Sequence, residues 1–198
     1  MKMNANKKKP IIIFVGPSGV GKGTIESILF KNNDLKLKLS VSATTRSPRV
    51  GEIDGTHYFF ISKDDFQQRI ENNELLEYNF HFDNYYGTLL SEIDRIHNCG
   101  LVPFLEIETL GAKKILQNTE NFNKYNIITV FILPPSFHEL KQRIVGRNTE
   151  TEDSITMRMQ KATEEIADRH IFKYNIINDD PHRAANEIEA LLMKELYE

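Results

Sequence analysis

At 198 residues the chain fits one domain of ordinary size with a substantial core. Its 25 Lys and Arg against 28 Asp and Glu leave a net charge of −3, which argues against a dedicated nucleic-acid binder. A single cysteine rules out an internal disulfide or a multi-cysteine zinc site, and no apolar run nears the roughly 18 residues of a membrane span.

Residues 1–10, with Lys2 and the run Lys7, Lys8, Lys9, read as a basic N-terminal tail. Ile11-Ile12-Ile13-Phe14-Val15 follows. It is shorter than the roughly 7–15 apolar residues of a secretory signal and reads as a strand buried on both faces. A cytoplasmic location is expected. Residues 24–31 read as a helix with Ile25, Ile28 and Leu29 on one face. Residues 40–86 carry shorter strand signals, more turns and more charge. Residues 101–107 are a second buried run, broken by Pro103 and ending in Glu106; 127–133 are a third and 171–177 a fourth. Ser62-Lys63-Asp64-Asp65 and Ser136-Phe137-His138-Glu139 fit the pattern that caps a helix start. Residues 151–169 are helical by period, with Ile155, Met159, Ala162 and Ile166 on one stripe. Residues 181–197 form a closing amphipathic helix with Pro181 in its first turn. Strands alternating with helices predict an α/β fold, a parallel sheet covered by helices on both faces. Segments 40–86 and 147–170 break that rhythm. Periodicity reads them equally well as insertions over a site and as plain solvated structure.

Gly16-Pro17-Ser18-Gly19-Val20-Gly21-Lys22-Gly23-Thr24 lies between the first strand and the first helix. This is the context a phosphate-binding loop requires. Glycines let successive N–H groups turn inward at an anion, and the helix start adds partial positive charge. Lys22 supplies a mobile ammonium for β- and γ-phosphate oxygens. The residue after the lysine is commonly Ser or Thr, a Mg²⁺ ligand. Here it is Gly23, which leaves Thr24 to bind phosphate or to reach the metal through water.

Ser40-Val41-Ser42-Ala43-Thr44-Thr45-Arg46-Ser47-Pro48-Arg49, then Gly51-Glu52, then Gly55-Thr56-His57-Tyr58-Phe59-Phe60, closely resembles the monophosphate-binding signature of guanylate kinases. Asn73-Glu74-Leu75-Leu76-Glu77-Tyr78 and Asn84-Tyr85-Tyr86-Gly87-Thr88 resemble that family's guanine-binding segment. Pro134-Pro135-Ser136, Arg143 and the stretch from Gly146-Arg147 to Glu152 resemble its lid, and Asn178-Asp179-Asp180 matches near the C-terminus. The resemblance runs in order from Ile11 to the end.

It implies a P-loop parallel sheet covered by helices, with a mononucleotide-binding insertion and a helical lid. Residues 11–198 would be a single domain: core at 11–39, 89–146 and 171–198, GMP-binding insertion at about 40–88, lid at about 147–170. The implied reaction is ATP + GMP ⇌ ADP + GDP with Mg²⁺. Those nucleotides are the expected partners, with no nucleic acid, no membrane, and a monomer or weak dimer. ATP would lie on Gly16, Ser18, Gly19, Val20, Gly21, Lys22, Gly23 and Thr24, with Arg143 and Asn178 near adenine. Arg46 and Arg49 would fork the GMP phosphate, with Glu52 in the same segment and hydroxyls from Tyr58 and Tyr86. Glu77 would accept the adjacent N1–H and N2–H₂ of guanine, which adenine lacks. Ser42 and Thr88 would donate to O6. Lys22, Arg46, Arg147 and Arg158 would serve catalysis. The family usually ends its third strand in Asp-x-Asp, where this chain has Glu106-Ile107-Glu108. These are assigned to the GMP side, Glu106 also to the metal with Thr24. With Gly23, they lead us to expect modest turnover.

Two other readings use parts of the same pattern. A scaffold protein's guanylate-kinase-like module has the fold but typically lacks a working phosphate loop. Adenylate kinases share Gly21-Lys22-Gly23-Thr24 but not the Thr45-Arg46 signature.

Overall fold

A computed structural model describes residues 8–146 and 152–198. In chain order the elements are β1 (Lys9–Val15), α1 (Lys22–Leu29), β2 (Leu37–Leu39), β3 (Ala43–Thr44), β4 (Phe59–Phe60), α2 (Lys63–Glu71), β5 (Leu75–His81), β6 (Asn84–Leu89) and α3 (Leu90–Asn98). There follow β7 (Val102–Glu106), α4 (Thr109–Gln117), α5 (Thr119–Lys124), β8 (Tyr125–Leu133), α6 (Phe137–Val145), α7 (Glu152–Ala167), β9 (Tyr174–Ile177) and α8 (Pro181–Tyr197).

Five strands form a parallel sheet in the order β2-β7-β1-β8-β9. Alternation along β1 builds a core on each face. Ile12 and Phe14 pack with Ile25 and Leu29 of α1 and Ile188 and Leu192 of α8. Ile11, Ile13 and Val15 pack with Ile93 of α3 and Ala112 and Ile115 of α4. A strand buried on both faces needs such an unbroken apolar run. A second sheet, β4-β3-β6-β5, lies within residues 43–89 and has its own small core around Phe66.

Several boundaries differ from the pattern reading by a few residues, and three of the differences have a visible cause. β1 starts inside the expected tail, because Lys9 and Pro10 already pair with Tyr125 and Asn126. β7 runs through Pro103. Its pairing to β1 begins only at Phe104, so the missing N–H interrupts no ladder on that side. β9 begins at Tyr174 rather than at residue 171, since residues 168–171 form a 3-10 turn. The Lys173 N–H then donates to the Thr129 hydroxyl at 2.7 Å instead of to a ladder carbonyl. Both expected caps form: Ser62 and Ser136 accept from the N–H groups of Asp65 and Glu139. No helix among the described residues is long and apolar enough to cross a membrane.

Candidate active site

The loop between β1 and α1 curls because two of its glycines take left-handed angles, Gly19 at φ +84° and Gly21 at φ +98°. Neither position admits a side chain. A Cβ on Gly19 would lie 2.9 Å from Ile144 Cγ1, and one on Gly21 2.5 Å from Asn178 Nδ2. The loop is braced from behind. Asn178 Nδ2 donates to the Val20 carbonyl at 2.7 Å, and Arg143 donates to the carbonyls of Val20 and Asn178 at 3.1 and 3.0 Å. Lys22 Nζ folds back on the Gly16 carbonyl at 2.7 Å and lies 3.8 Å from Glu106 at the end of β7. One helical turn beyond Lys22, Glu26 is buried beside Glu106. Burial, then the Glu106 charge, raises the Glu26 carboxyl above the usual range. A Cβ on Gly23 would meet nothing within 4 Å, so the fold does not require glycine there.

One cavity lies between the two sheets. Ser42, Tyr58, Glu77, Asn79, His81, Tyr86 and Gly87 line it, together with Glu106, Ile107 and Glu108. Glu77 is only 7% exposed, on β5 opposite Thr88 of β6. The Thr88 hydroxyl donates to Glu77 Oε1 at 2.9 Å, and Asn79 Nδ2 lies 3.4 Å from Oε2. Gly111 of α4 passes so close that a Cβ there would lie 2.5 Å from Oε2. Burial pushes the Glu77 carboxyl up to about 7, against the pull of Thr88 and the Lys114 charge.

Arg46 sits at the cavity's edge, with its guanidinium over the Tyr58 and Phe60 rings at 5.4 and 5.7 Å. Glu52 holds it bidentately, with both N–O distances 2.9 Å, and also accepts from the Arg49 N–H at 2.7 Å. Those donors hold the Glu52 carboxyl down at about 2. Such a fork leaves the guanidinium aimed rather than swinging.

A second cavity lies under α7, between Lys22, Gly16 and Ser18 of the loop and Arg158, Lys161 and Glu165 of the helix. Tyr58, Glu106, Ile107 and Glu108 line both cavities and so form one continuous wall. Among the described residues, ion pairs at the α7 end include Lys161 to Glu108 at 3.0 Å and Lys113 to Asp168 at 2.9 Å.

A loop built for phosphate is joined by a shared wall to a pocket that presents a buried carboxylate, and comparison with known proteins points to one family. The guanylate kinase family profile matches residues 7–195. The guanylate kinase of Mycoplasmopsis pulmonis (strain UAB CTIP) is 57% identical over 94% of this chain and 95% of its own. That of Mycoplasmopsis synoviae (strain 53) is 55% identical over 96% and 97%. The crystal structure of guanylate kinase from Anaplasma phagocytophilum aligns with TM-score 0.73 at 26% identity, covering 99% of this chain and 89% of that one.

The chain belongs to the guanylate kinase family. It is an ATP:GMP phosphotransferase, a nucleoside monophosphate kinase.

For this guanylate kinase the expected site residues take different places. Ser42, Tyr58, Glu77, Tyr86, Glu106 and Glu108 line the first cavity, and Gly16, Ser18, Lys22 and Arg158 the second. Others serve neighbours. Glu52 is committed to Arg46, Thr88 gives its proton to Glu77, and Arg143 and Asn178 hold the loop backbone. Thr88 therefore has no proton to donate to a base oxygen while that bond stands. Arg49 and Thr24 are exposed, and Arg147 lies outside the described residues. Asn79, His81, Lys161 and Glu165 line the cavities without standing in the family motifs. Lys161 and Glu165 follow Arg158 by three and seven residues, so helical spacing could have flagged them.

The raised carboxyls have a consequence for stability. Glu26, Glu77 and Glu165 all sit at about 7 in the fold, chiefly through burial, against an ordinary 4.5. Their raised values favour folding fully below pH 4.5, and the advantage is lost as pH rises through 7. His97, which burial lowers from 6.5, works the other way. Glu77→Gln removes one carboxyl and leaves His97 in place. The melting temperature of the ligand-free enzyme should therefore fall more between pH 5.5 and 8 in the wild type than in Glu77→Gln, by about 3 °C or more. Parallel melting curves across that range would refute this.

Proposed function

We propose that the γ-phosphoryl group of ATP passes to GMP at the junction of the two cavities, beside the shared wall of Tyr58, Glu106, Ile107 and Glu108. The continuity of that wall carries the reading, because it brings the loop and the buried carboxylate into one space. The ATP polyphosphate lies along the N–H groups of residues 16–24. Lys22 leaves the Gly16 carbonyl for the β- and γ-oxygens. Arg143 and Asn178 stiffen the loop at its adenine end. Guanine places N1–H and N2–H₂ on Glu77, with Ser42 near O6. The GMP phosphate meets Arg46, Arg49 and the hydroxyls of Tyr58 and Tyr86, and Glu52 keeps Arg46 aimed.

No side chain acts as nucleophile. A GMP phosphate oxygen attacks the γ-phosphorus, the bond to the β–γ bridging oxygen breaks, and ADP leaves. The protein's task is positioning and charge neutralisation, supplied by Lys22, Arg46, Arg158 and, from outside the described residues, Arg147.

Mg²⁺ belongs to this reading. Among the described residues no group of three His, Cys, Asp or Glu surrounds a metal position. Crowded against Glu106, however, Glu26 keeps one carboxylate oxygen without a hydrogen-bond partner. Hard oxygen donors at the loop's edge suit an ion that takes one or two carboxylates and otherwise phosphates and water. Glu106, with Thr24 through water, would hold it. Bound there, Mg²⁺ neutralises β- and γ-phosphate charge.

The test is ADP formation from MgATP with GMP, AMP, UMP or dTMP as acceptor. GMP-selective turnover is expected, and faster turnover with AMP, or none with any acceptor, would overturn the reading. The same assay measures whether Gly23, Glu106 and Glu108 leave turnover modest.

A further inference from the structure

The second cavity is lined by as many acidic as basic side chains. Its lining carries three cations, Lys22, Arg158 and Lys161, and three carboxylates, Glu106, Glu108 and Glu165. Lys22 stands 3.8 Å from Glu106, and Lys161 stands 3.0 Å from Glu108.

We propose that Lys161 is a further catalytic residue, a cation parked on Glu108 until the nucleotides arrive, which then moves onto an oxygen of the phosphoryl group in transfer. The proposal rests on the reading of the site given above.

Four observations support it. First, the helix presents Lys161 to the right space. Arg158, Lys161 and Glu165 share the face of α7 that lines the cavity, while Ala162, 1% exposed, seats that helix on the core. Second, the parking place is at the junction. Glu108 lines both cavities, so an ammonium 3.0 Å from it lies beside the path between donor and acceptor. Third, the hold is weak. The two side chains are 46% and 50% exposed, and pairs of that kind contribute little and are screened by salt. A doubly charged phosphate in the same space attracts an ammonium more strongly than one half-solvated carboxylate. Fourth, the charge needs a taker. ATP and GMP together bring roughly six negative charges. Transfer spreads charge over the equatorial oxygens of the moving group. A lysine suits this task, since its flexible stem and three donors can follow a group that moves.

If Lys161 only ties α7 to the wall through Glu108, its loss should weaken nucleotide binding generally. If it neutralises the phosphoryl group in flight, its loss should appear in kcat. The full-length wild type, Lys161→Ala and Lys161→Arg would be compared by steady-state kinetics. Calorimetry would measure binding of ADP, of GMP, and of an adenosine–guanosine pentaphosphate that spans both cavities. Lys161→Ala is expected to lower kcat about 10²-fold, with both KM values within about threefold. It should weaken the spanning ligand at least about tenfold while leaving ADP and GMP nearly unchanged, and Lys161→Arg should recover part of each loss. An unchanged kcat, a loss confined to KM, or undiminished affinity for the spanning ligand would overturn the proposal. A wild type without GMP-dependent turnover would overturn the parent reading instead, so the two failures are distinguishable.

Discussion

Lys22→Ala is expected to slow phosphoryl transfer from MgATP to GMP by about 10³-fold while the protein still folds. The loop keeps its shape without the side chain. Gly19 and Gly21 set its turns, and Arg143 and Asn178 hold its backbone from behind. The variant loses an ammonium that is already within the loop, 2.7 Å from the Gly16 carbonyl. Such a group needs only to rotate to reach a phosphate, so its charge is available with little reorganisation. Removing one preorganised donor of this kind costs about 10²–10³ in rate, and a full positive charge belongs at the upper end. Turnover assays at saturating nucleotide, with circular dichroism as the folding control, check this. A variant retaining a tenth of wild-type kcat would refute the role of Lys22.

Glu77→Gln is expected to reduce the preference for GMP over AMP by about 10³-fold. The carboxylate is 7% exposed and held before any base arrives by Thr88 at 2.9 Å, in space that the missing side chain of Gly111 leaves for it. It can accept two adjacent N–H groups, whereas the glutamine amide can accept only one and sets N–H against N–H at the other. A site built around hydrogen bonds to one base penalises their loss heavily, because buried partners stay unpaired. Glu77 also titrates near 7 in the ligand-free enzyme. Guanine needs the ionised form, so guanosine should bind more tightly as pH rises from 6 to 8 and release a proton on binding. Guanosine is the better probe, since its base carries no phosphate that titrates in this window. Calorimetry in buffers of different ionisation enthalpy reads both effects. Flat affinity across that range, or undiminished GMP selectivity in the variant, would remove Glu77 from base choice.

Much of the molecule is legible in local sequence. The run from Ile11 to Val15 forms a strand buried on both faces, because only a continuous apolar stretch can serve two cores at once. The caps at Ser62 and Ser136 form because a hydroxyl three residues from an N–H needs no distant partner. Where pattern reading failed, a long-range contact had intervened. Thr129 of β8 captures the Lys173 N–H across 44 residues and delays β9 to Tyr174. Pro103 does not end its strand, because pairing to β1 starts one residue later.

The functional residues follow the same division. The phosphate loop is a local object: glycine angles, a lysine and a helix start within nine residues are enough to make an anion site, and the sequence alone specifies them. The order of motifs likewise identifies the family and its reaction. Side-chain partnership is different, because it depends on which elements the fold brings together. Only the tertiary structure commits Glu52 to the Arg46 fork and the Thr88 proton to Glu77. Only it turns Arg143 and Asn178 onto the loop backbone. It also brings Lys161, in the lining of the second cavity, to Glu108, which lines both, across 53 residues of chain. Hydrogen bonds and ion pairs act over about 3 Å, a separation that residue spacing fixes within one helix turn and that strand pairing, loop shape and packing fix everywhere else.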